Sequence, residues 1–165
     1  MDFQNEQVIQ DIEQYRTMVF RIAYGYVRNT HDADDITQDV FLKLCKSKVR
    51  FADDEHKKAW LIRVACNRSK TLLTSAWRTR KSNMSDIDES VADMSDFTQD
   101  KLNLYEYVEG LKPKYRTIIY LYYYEEYTVK EIAGILKLSQ TAVTTQLNRA
   151  RGQLKEILLE EGFVQ

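Results

Sequence analysis

The sequence predicts an all-α protein of two small helical domains joined by an acidic flexible linker, with a helix-turn-helix as the C-terminal domain. Glycine and proline make up about 4% of the 165 residues, against a usual share of about 12%. Turn-forming residues are therefore too few for a sandwich or a barrel. Apolar residues also recur at helical spacing on both sides of a serine-rich acidic segment at 82–100.

Several classes of protein are excluded by composition. The longest apolar run, at 118–124, has seven residues, whereas a membrane-spanning helix needs about 20. The N-terminus lacks a signal peptide, so we expect a cytoplasmic protein. Cys45 and Cys66 have no second cysteine pair nearby, which leaves no disulfide framework and no zinc ligand set. The sequence offers no phosphate loop and no nucleophile beside a base, so we expect neither a cofactor nor an enzyme.

The first half is predicted to form three amphipathic helices. The first carries an apolar stripe at intervals of three and four residues, formed by Val8, Ile12, Tyr15, Val19, Ile22 and Tyr26. It breaks at 29–31, where Thr30 or Asp32 can cap the second helix. The second helix is expected to face inward with Ile36, Val40, Phe41 and Leu44. Residues 46–58 lack periodicity and are expected to form a loop, and a third helix is expected from Ala59.

The second half contains a compact helical motif. A helix is expected from about Leu102 to residue 112, and Pro113 suits the first turn of the next one. The segment 128–131 (TVKE) is a capping box that opens a short helix, and Ser139 can cap a further helix after a turn at 137–138. Val143, Leu147, Ala150 and Leu154 are expected to face inward on this helix. Ala133 is expected where the two helices cross closely, and Leu138, Val143 and Leu147 are expected to lock the second helix at a steep angle across the first. This spacing predicts a helix-turn-helix.

The outward face of the last helix is polar and basic, without a carboxylate. Its members are Gln140, Thr141, Thr144, Thr145, Asn148, Arg149 and Arg151. Glutamine and asparagine can pair with adenine in the major groove, and threonine can contact the methyl group of thymine. The face therefore indicates DNA binding, and the alternative is a helical hairpin with a solvated polar face.

Charge is distributed unevenly along the chain. The formal net charge is −1, which gives no overall attraction to nucleic acid. Residues 63–81 hold six basic side chains and no acid, whereas residues 82–100 hold six acids and no base. The second segment has the composition of a disordered linker, so we place a domain boundary there.

With these motifs in place, the chain resembles a known family. Residues 32–42 (DADDITQDVFL), 59–67 (AWLIRVACN) and 127–154, in this order and spacing, are similar to segments of an extracytoplasmic-function sigma factor of the sigma-70 family. The resemblance implies a region 2-like domain at 1–81, an acidic linker at 82–101 and a region 4-like domain at 102–165. It also implies promoter recognition, promoter melting and transcription initiation with bacterial RNA polymerase core, and an anti-sigma factor as a further partner.

The resemblance implies three sets of site residues. The surface that docks on the polymerase would include Asp35, Gln38, Asp39 and Phe41. Contact with the minus-ten element would involve Arg63, Asn67, Arg78, Arg80 and Lys81. The minus-35 element would be read by the outward face of the last helix.

Each of these sets has a simpler alternative. Acidic residues in a first turn also stabilise the helix dipole, and both Phe41 and Trp60 are expected in the core. The chain departs from the family pattern at Thr71 and Thr74, where Asp and Arg are common, and at Lys137, where Gly is preferred. Two other functions remain open at this point: a free-standing helix-turn-helix regulator and a helical protein-interaction adaptor.

Overall fold

The computed structural model describes residues 3–79, 108, 110–160 and 162, and every regular element in these ranges is helical. The chain divides into two compact units, Met1–Ser90 and Val91–Gln165. The prediction of an all-α fold is confirmed. The linker predicted at 82–101 lies outside the described residues.

The N-terminal unit is built from three long helices. They are α1 (Phe3–Val27), α2 (Thr30–Lys46) and α3 (Asp54–Thr79), and each packs against the other two. Their shared core contains the fully buried side chains of Val19, Val40, Leu61, Ile62 and Cys66. The residues of the apolar stripes predicted for α1 and α2 are buried except Val8 and Ile12, which are half-buried. The spacing of three and four residues found these stripes because it places them on one face of each helix.

The junction between α1 and α2 differs from the prediction in its capping residue. Arg28 leaves α1 with a φ of 55°, and its N–H donates to the carbonyl of Tyr24 at 2.9 Å. Asn29 then caps α2, because its Oδ1 accepts from the N–H of Asp32 at 2.7 Å. Thr30 and Asp32 are therefore not the cap, and both lie inside the helix.

The third helix begins earlier than predicted. The loop spans only 47–53, and α3 starts at Asp54, five residues before Ala59. The Oδ1 of Asp53 accepts from the N–H of His56 at 2.8 Å, which satisfies one of the open N–H groups of the first turn. The prediction was wrong here because these first residues of α3 are largely exposed and carry no apolar stripe.

The C-terminal unit contains two short helices, a π-helical turn and one long helix. They are α4 (Pro113–Ile119), a π-helical turn (Tyr120–Tyr124), α5 (Val129–Leu136) and α6 (Gln140–Glu160). Pro113 occupies the first turn of α4, as predicted. The helix predicted from Leu102 lies mostly outside the described residues, in which Val108 is helical.

The core of this unit joins α4 to α6. Val108, Leu111, Tyr115, Ile118 and Ile119 pack with the inner face of α6, and Leu154 and Ile157 lie partly buried beside them. Leu121 of the π-helical turn, Ile132 of α5 and Val143 of α6 are also fully buried. This packing holds α6 with one face against the core and the opposite face exposed.

Candidate nucleic-acid interface

The two helices of the C-terminal motif are set by local capping. The Oγ1 of Thr128 accepts from the N–H of Glu131 at 3.2 Å, and the Oε1 of Glu131 accepts from the N–H of Thr128 at 3.2 Å. At the start of α6 the Oγ of Ser139 accepts from the N–H of Ala142 at 3.0 Å. Both predicted caps of the helix-turn-helix are therefore present.

The turn between α5 and α6 relies on a left-handed residue. Lys137 has φ 55° and ψ 46°, in the region that glycine adopts most readily. The N–H groups of Lys137 and Leu138 both donate to the carbonyl of Ala133. This tight closure leaves the Leu138 side chain 38% exposed, so the prediction that Leu138 locks the two helices together was wrong.

Helix α6 separates its faces as predicted. Val143, Leu147 and Ala150 are at most 3% exposed. The side chains on the outward face are all exposed, and they are Gln140, Thr141, Thr144, Thr145, Asn148, Arg149 and Arg151. Donors, acceptors and methyl groups of the sizes that reach base edges thus lie along one side of the helix.

One member of this outward face has a defined protein contact. The Nε of Arg151 donates to the hydroxyl of Tyr123 at 2.8 Å, and its guanidinium carbon lies 5.1 Å from the ring centroid of Tyr122. The hydrogen bond raises the pKa of Arg151 above its ordinary value. Helical periodicity in the sequence does not reveal this contact, because 28 residues separate the partners.

In the N-terminal unit, α3 carries an exposed polar strip. Asn67, Lys70, Thr71 and Thr74 are exposed, and their spacing of three and four residues places them on one face. The hydroxyl of Thr71 donates to the Asn67 carbonyl at 2.9 Å, and that of Thr74 donates to the Lys70 carbonyl at 2.9 Å. Both threonine hydroxyls thus bond within the helix, and Lys70 is the one charged residue among these four.

The basic residues predicted around this strip differ in their placement. Arg63 is half-buried, one turn before Asn67. Arg78 lies in the last turn of α3, but its side chain is not among those described, and Arg80 and Lys81 lie outside the described residues. Five residues were predicted to bind the minus-ten element. Among the described side chains, the structure places two of them, Arg63 and Asn67, one helical turn apart on α3.

The loop at 47–53 is held against α3 by an aromatic cluster. The ring of Phe51 packs edge-on against His56 at 5.3 Å and against Trp60 at 5.6 Å. The N–H of Ala52 donates to the Nδ1 of His56 at 3.1 Å. Trp60 is half-buried and thereby anchors the loop.

A groove of about 410 Å³ runs between α1 and α2. The residues that line this α1–α2 groove are Ile12, Arg16, Asp34, Thr37, Gln38, Phe41, Leu42 and Cys45. Phe41 forms part of its floor at 6% exposure, whereas Leu42 stands 54% exposed at the surface. The groove is lined by both apolar and polar side chains.

Asp35 and Asp39, two acidic residues predicted to dock on the polymerase, have partners within the N-terminal unit. The Oδ2 of Asp39 accepts from Arg68 of α3 at 2.6 Å, and the Oδ2 of Asp35 lies 3.6 Å from the Nε2 of His31. Both pairs are exposed, so each contributes little to stability. Asp35 and Gln38 are exposed, and Asp39 is half-buried.

A buried ion pair connects α1 to the start of α3. The Nζ of Lys57 lies 3.0 Å from the Oδ2 of Asp11, and the two side chains are 12% and 5% exposed. The Nε2 of Gln7 donates to the Oδ1 of Asp11 at 3.1 Å. Burial raises the pKa of the neighbouring Tyr15 above its ordinary value, and the carboxylates of Asp54 and Asp11 raise it further. No sequence signal marked this pair.

Two kinds of feature are missing from the described part of the chain. In residues 3–79 and 110–160, no group of three or more His, Cys, Asp or Glu side chains is arranged to hold a metal ion. In the same ranges, no helix is long and apolar enough to cross a membrane.

Two family profiles match the chain, one in each unit. The profile described as "Sigma-70 region 2" matches residues 12–79, which include α2 and α3. The profile described as "Sigma-70, region 4" matches residues 101–154, which include the helix-turn-helix. Together they account for about three quarters of the chain.

Full-length relatives agree with both profiles. The RNA polymerase sigma factor SigV of Bacillus subtilis is 28% identical over 91% of this chain and 90% of that protein. The ECF RNA polymerase sigma factor SigW of Bacillus subtilis is 25% identical over 89% of this chain and 86% of that protein. The RNA polymerase sigma-E factor of Streptomyces avermitilis is 29% identical over 85% and 78%.

Solved structures share the fold. The sigma factor RpoE in complex with the anti-sigma factor NepR, from Bartonella quintana, matches with a TM-score of 0.73 and 19% identity over 93% of this chain and 97% of that one. CnrH in complex with the cytosolic domain of CnrY matches with a TM-score of 0.64 and 22% identity over 93% and 88%. The sequence profiles, the relatives and the helix-turn-helix agree: the chain belongs to the extracytoplasmic-function group of the sigma-70 family and is an RNA polymerase sigma factor of transcription initiation.

Proposed function

We propose that α6 reads the minus-35 promoter element in the major groove. The observation that carries this proposal is the outward face of α6 between Gln140 and Arg151, which is exposed and contains no carboxylate. The first turns of a recognition helix meet the base edges. On this face the early residues are Gln140, Thr141, Thr144 and Thr145. The later residues, which extend the face toward the phosphates, are Asn148, Arg149 and Arg151.

We further propose that α3 and the loop at 47–53 hold the melted minus-ten strand. Separating strands costs a few kcal/mol per unstacked base, and hydrogen bonds to the extruded base recover part of this cost. The exposed amide of Asn67 suits such a bond, and Arg63 suits a phosphate. Arg78, Arg80 and Lys81 would extend the phosphate contacts beyond the strip.

The α1–α2 groove is the proposed docking surface for the polymerase. Its apolar floor at Phe41 and the exposed Leu42 offer area to bury, and Gln38 at its wall offers hydrogen bonds. Asp35 and Asp39 stand near it on α2 and would add electrostatic complementarity, which favours correct orientation more than raw affinity.

The division of labour follows from these surfaces. We assign residues 1–81 to polymerase and minus-ten contact, 102–165 to the minus-35 element, and 82–101 to the linker between them. Two weak DNA-binding modules gain affinity when one scaffold holds both, and the polymerase is that scaffold. The chain itself would make no bond in RNA, so we do not class it as an enzyme, and it would work in the cytoplasm.

An anti-sigma factor is a proposed further partner. RpoE of Bartonella quintana is held by the anti-sigma factor NepR in its solved structure, and this chain shares that fold. A protein that covers the α1–α2 groove would keep the chain from the polymerase. Copurification from the native host, followed by competition with core polymerase, tests this partner.

The central test is transcription with purified components. The chain and bacterial core polymerase are mixed with a random DNA library, and the DNA retained by the pair is sequenced and transcribed. Specific transcripts that require both proteins are the expected result. Tight operator binding by the chain alone would instead make it a free-standing regulator, and no binding to polymerase would overturn the proposal.

A matched pair of variants tests the role of α6. Arg149→Ala should weaken binding of the holoenzyme to the selected promoter and lower the salt slope by about 0.9, as expected for one lost phosphate contact. Lys114→Ala removes the same charge from an exposed site on α4 and should change neither quantity. An unchanged slope for Arg149→Ala would remove this residue from the interface.

A further inference from the structure

Two consecutive tyrosines contact the same arginine of the recognition helix. The Nε of Arg151 donates to the Tyr123 hydroxyl at 2.8 Å. The guanidinium carbon lies 5.1 Å from the ring centroid of Tyr122 and 5.7 Å from that of Tyr123. The two rings meet edge-on, with centroids 4.9 Å apart. Together they form a corner that receives one guanidinium group.

The corner depends on the π-helical turn at Tyr120–Tyr124. Its defining bond runs from the N–H of Glu125 to the carbonyl of Tyr120 at 3.2 Å. Such turns are rare, and they occur frequently at functional sites. Tyr123 is 44% exposed, which is unusual for a large aromatic side chain that serves only the core.

The contact leaves the guanidinium suited to a phosphate. The Nε of Arg151 bonds Tyr123 and the guanidinium also interacts with the Tyr122 hydroxyl, but the group has five N–H donors, so further N–H groups remain to bind phosphate oxygens. A side chain already fixed in one conformation loses less freedom on binding.

We propose that Tyr123 is a positioning residue for promoter binding, which together with Tyr122 fixes Arg151 as a phosphate-binding arm of the recognition helix. This inference rests on the proposed function of α6. It adds a second element, the π-helical turn, to the part of the C-terminal unit that determines DNA affinity.

The test is a double-mutant cycle in the holoenzyme on the promoter duplex selected by the wild-type protein. Tyr123→Phe removes only the hydroxyl and should weaken binding about three- to tenfold, the effect of losing one ordinary hydrogen bond at an exposed site. Arg151→Ala should weaken binding further and lower the salt slope. In the Arg151→Ala background, Tyr123→Phe should have no additional effect.

Controls separate this role from folding and from the proposed function. Tyr124→Phe removes a hydroxyl from the same turn and should leave binding unchanged, and circular dichroism should show the same helix content in every variant. An unchanged affinity for Tyr123→Phe, or an equal loss with and without Arg151, would overturn the inference. If Arg149→Ala also has no effect, the proposed function of α6 fails instead.

Discussion

Replacing Lys137 with glycine should stabilise the C-terminal unit by about 0.5–1 kcal/mol. Lys137 has φ 55° and ψ 46°, and a residue other than glycine pays roughly 1–2 kcal/mol for this left-handed conformation. Glycine loses more backbone freedom on folding, which offsets about 0.5–1 kcal/mol of the gain. The Lys137 side chain is exposed, so its removal costs no packing.

The two units can be followed separately in one unfolding experiment. Both tryptophans, Trp60 and Trp77, lie in the N-terminal unit, so their fluorescence reports that unit, whereas far-ultraviolet circular dichroism reports both. Lys137→Gly should raise the melting temperature of the C-terminal unit by about 2–8 °C and leave the fluorescence transition unchanged.

A second glycine variant provides the control. Lys155→Gly removes the same side chain from an exposed site in the interior of α6, where glycine is unfavourable by about 0.5–1 kcal/mol, and it should lower the melting temperature. If Lys137→Gly also lowers it, or leaves it unchanged, the left-handed conformation carries no strain and the reasoning is refuted.

Lys57→Met leaves the carboxylate of Asp11 buried without its partner, so the N-terminal unit should lose about 3–5 kcal/mol, measured by urea unfolding with tryptophan fluorescence. Thr128→Ala removes a helix cap and should destabilise the C-terminal unit by about 1 kcal/mol, whereas Thr128→Ser should not. Burial raises the pKa of Cys66 to about 11 from 9.0. As pH rises, the thiol therefore loses its proton in the unfolded state before it does so in the folded state. The free energy of unfolding should fall as pH rises from 9 to 11, and Cys66→Ala should abolish this part of the pH dependence. A thiol reagent should label the exposed Cys45 in the native chain and Cys66 only after unfolding.

Features that depend on residues three or four positions apart could be predicted from the sequence. The capping box of Thr128 and Glu131 is one example, and the buried face of Val143 and Leu147 is another. Both arise from the geometry of a single helix turn, so the order of residues alone contains the information. The start of α3 could also have been predicted, since Asp53 precedes two further acids, a pattern typical of a helix N-terminus.

Contacts between distant residues could not be predicted in this way. Asp11 and Lys57 are 46 residues apart, and their pairing depends on how α1 and α3 pack. The contact of Arg151 with Tyr123 likewise depends on the π-helical turn, which periodicity does not indicate. The exposure of Leu138 follows from the left-handed backbone at Lys137, which apolar spacing does not record.

The buried pair of Asp11 and Lys57 also constrains how this sequence can change over time. Replacing either residue with an uncharged one leaves the other charge buried and unpaired, so a sequence with only one of the two changes would fold poorly. Descendants that lose the pair should therefore exchange both positions together, for two apolar residues or for the reversed charges. Correlated replacement at sites 11 and 57 would be the evolutionary trace of a single electrostatic contact.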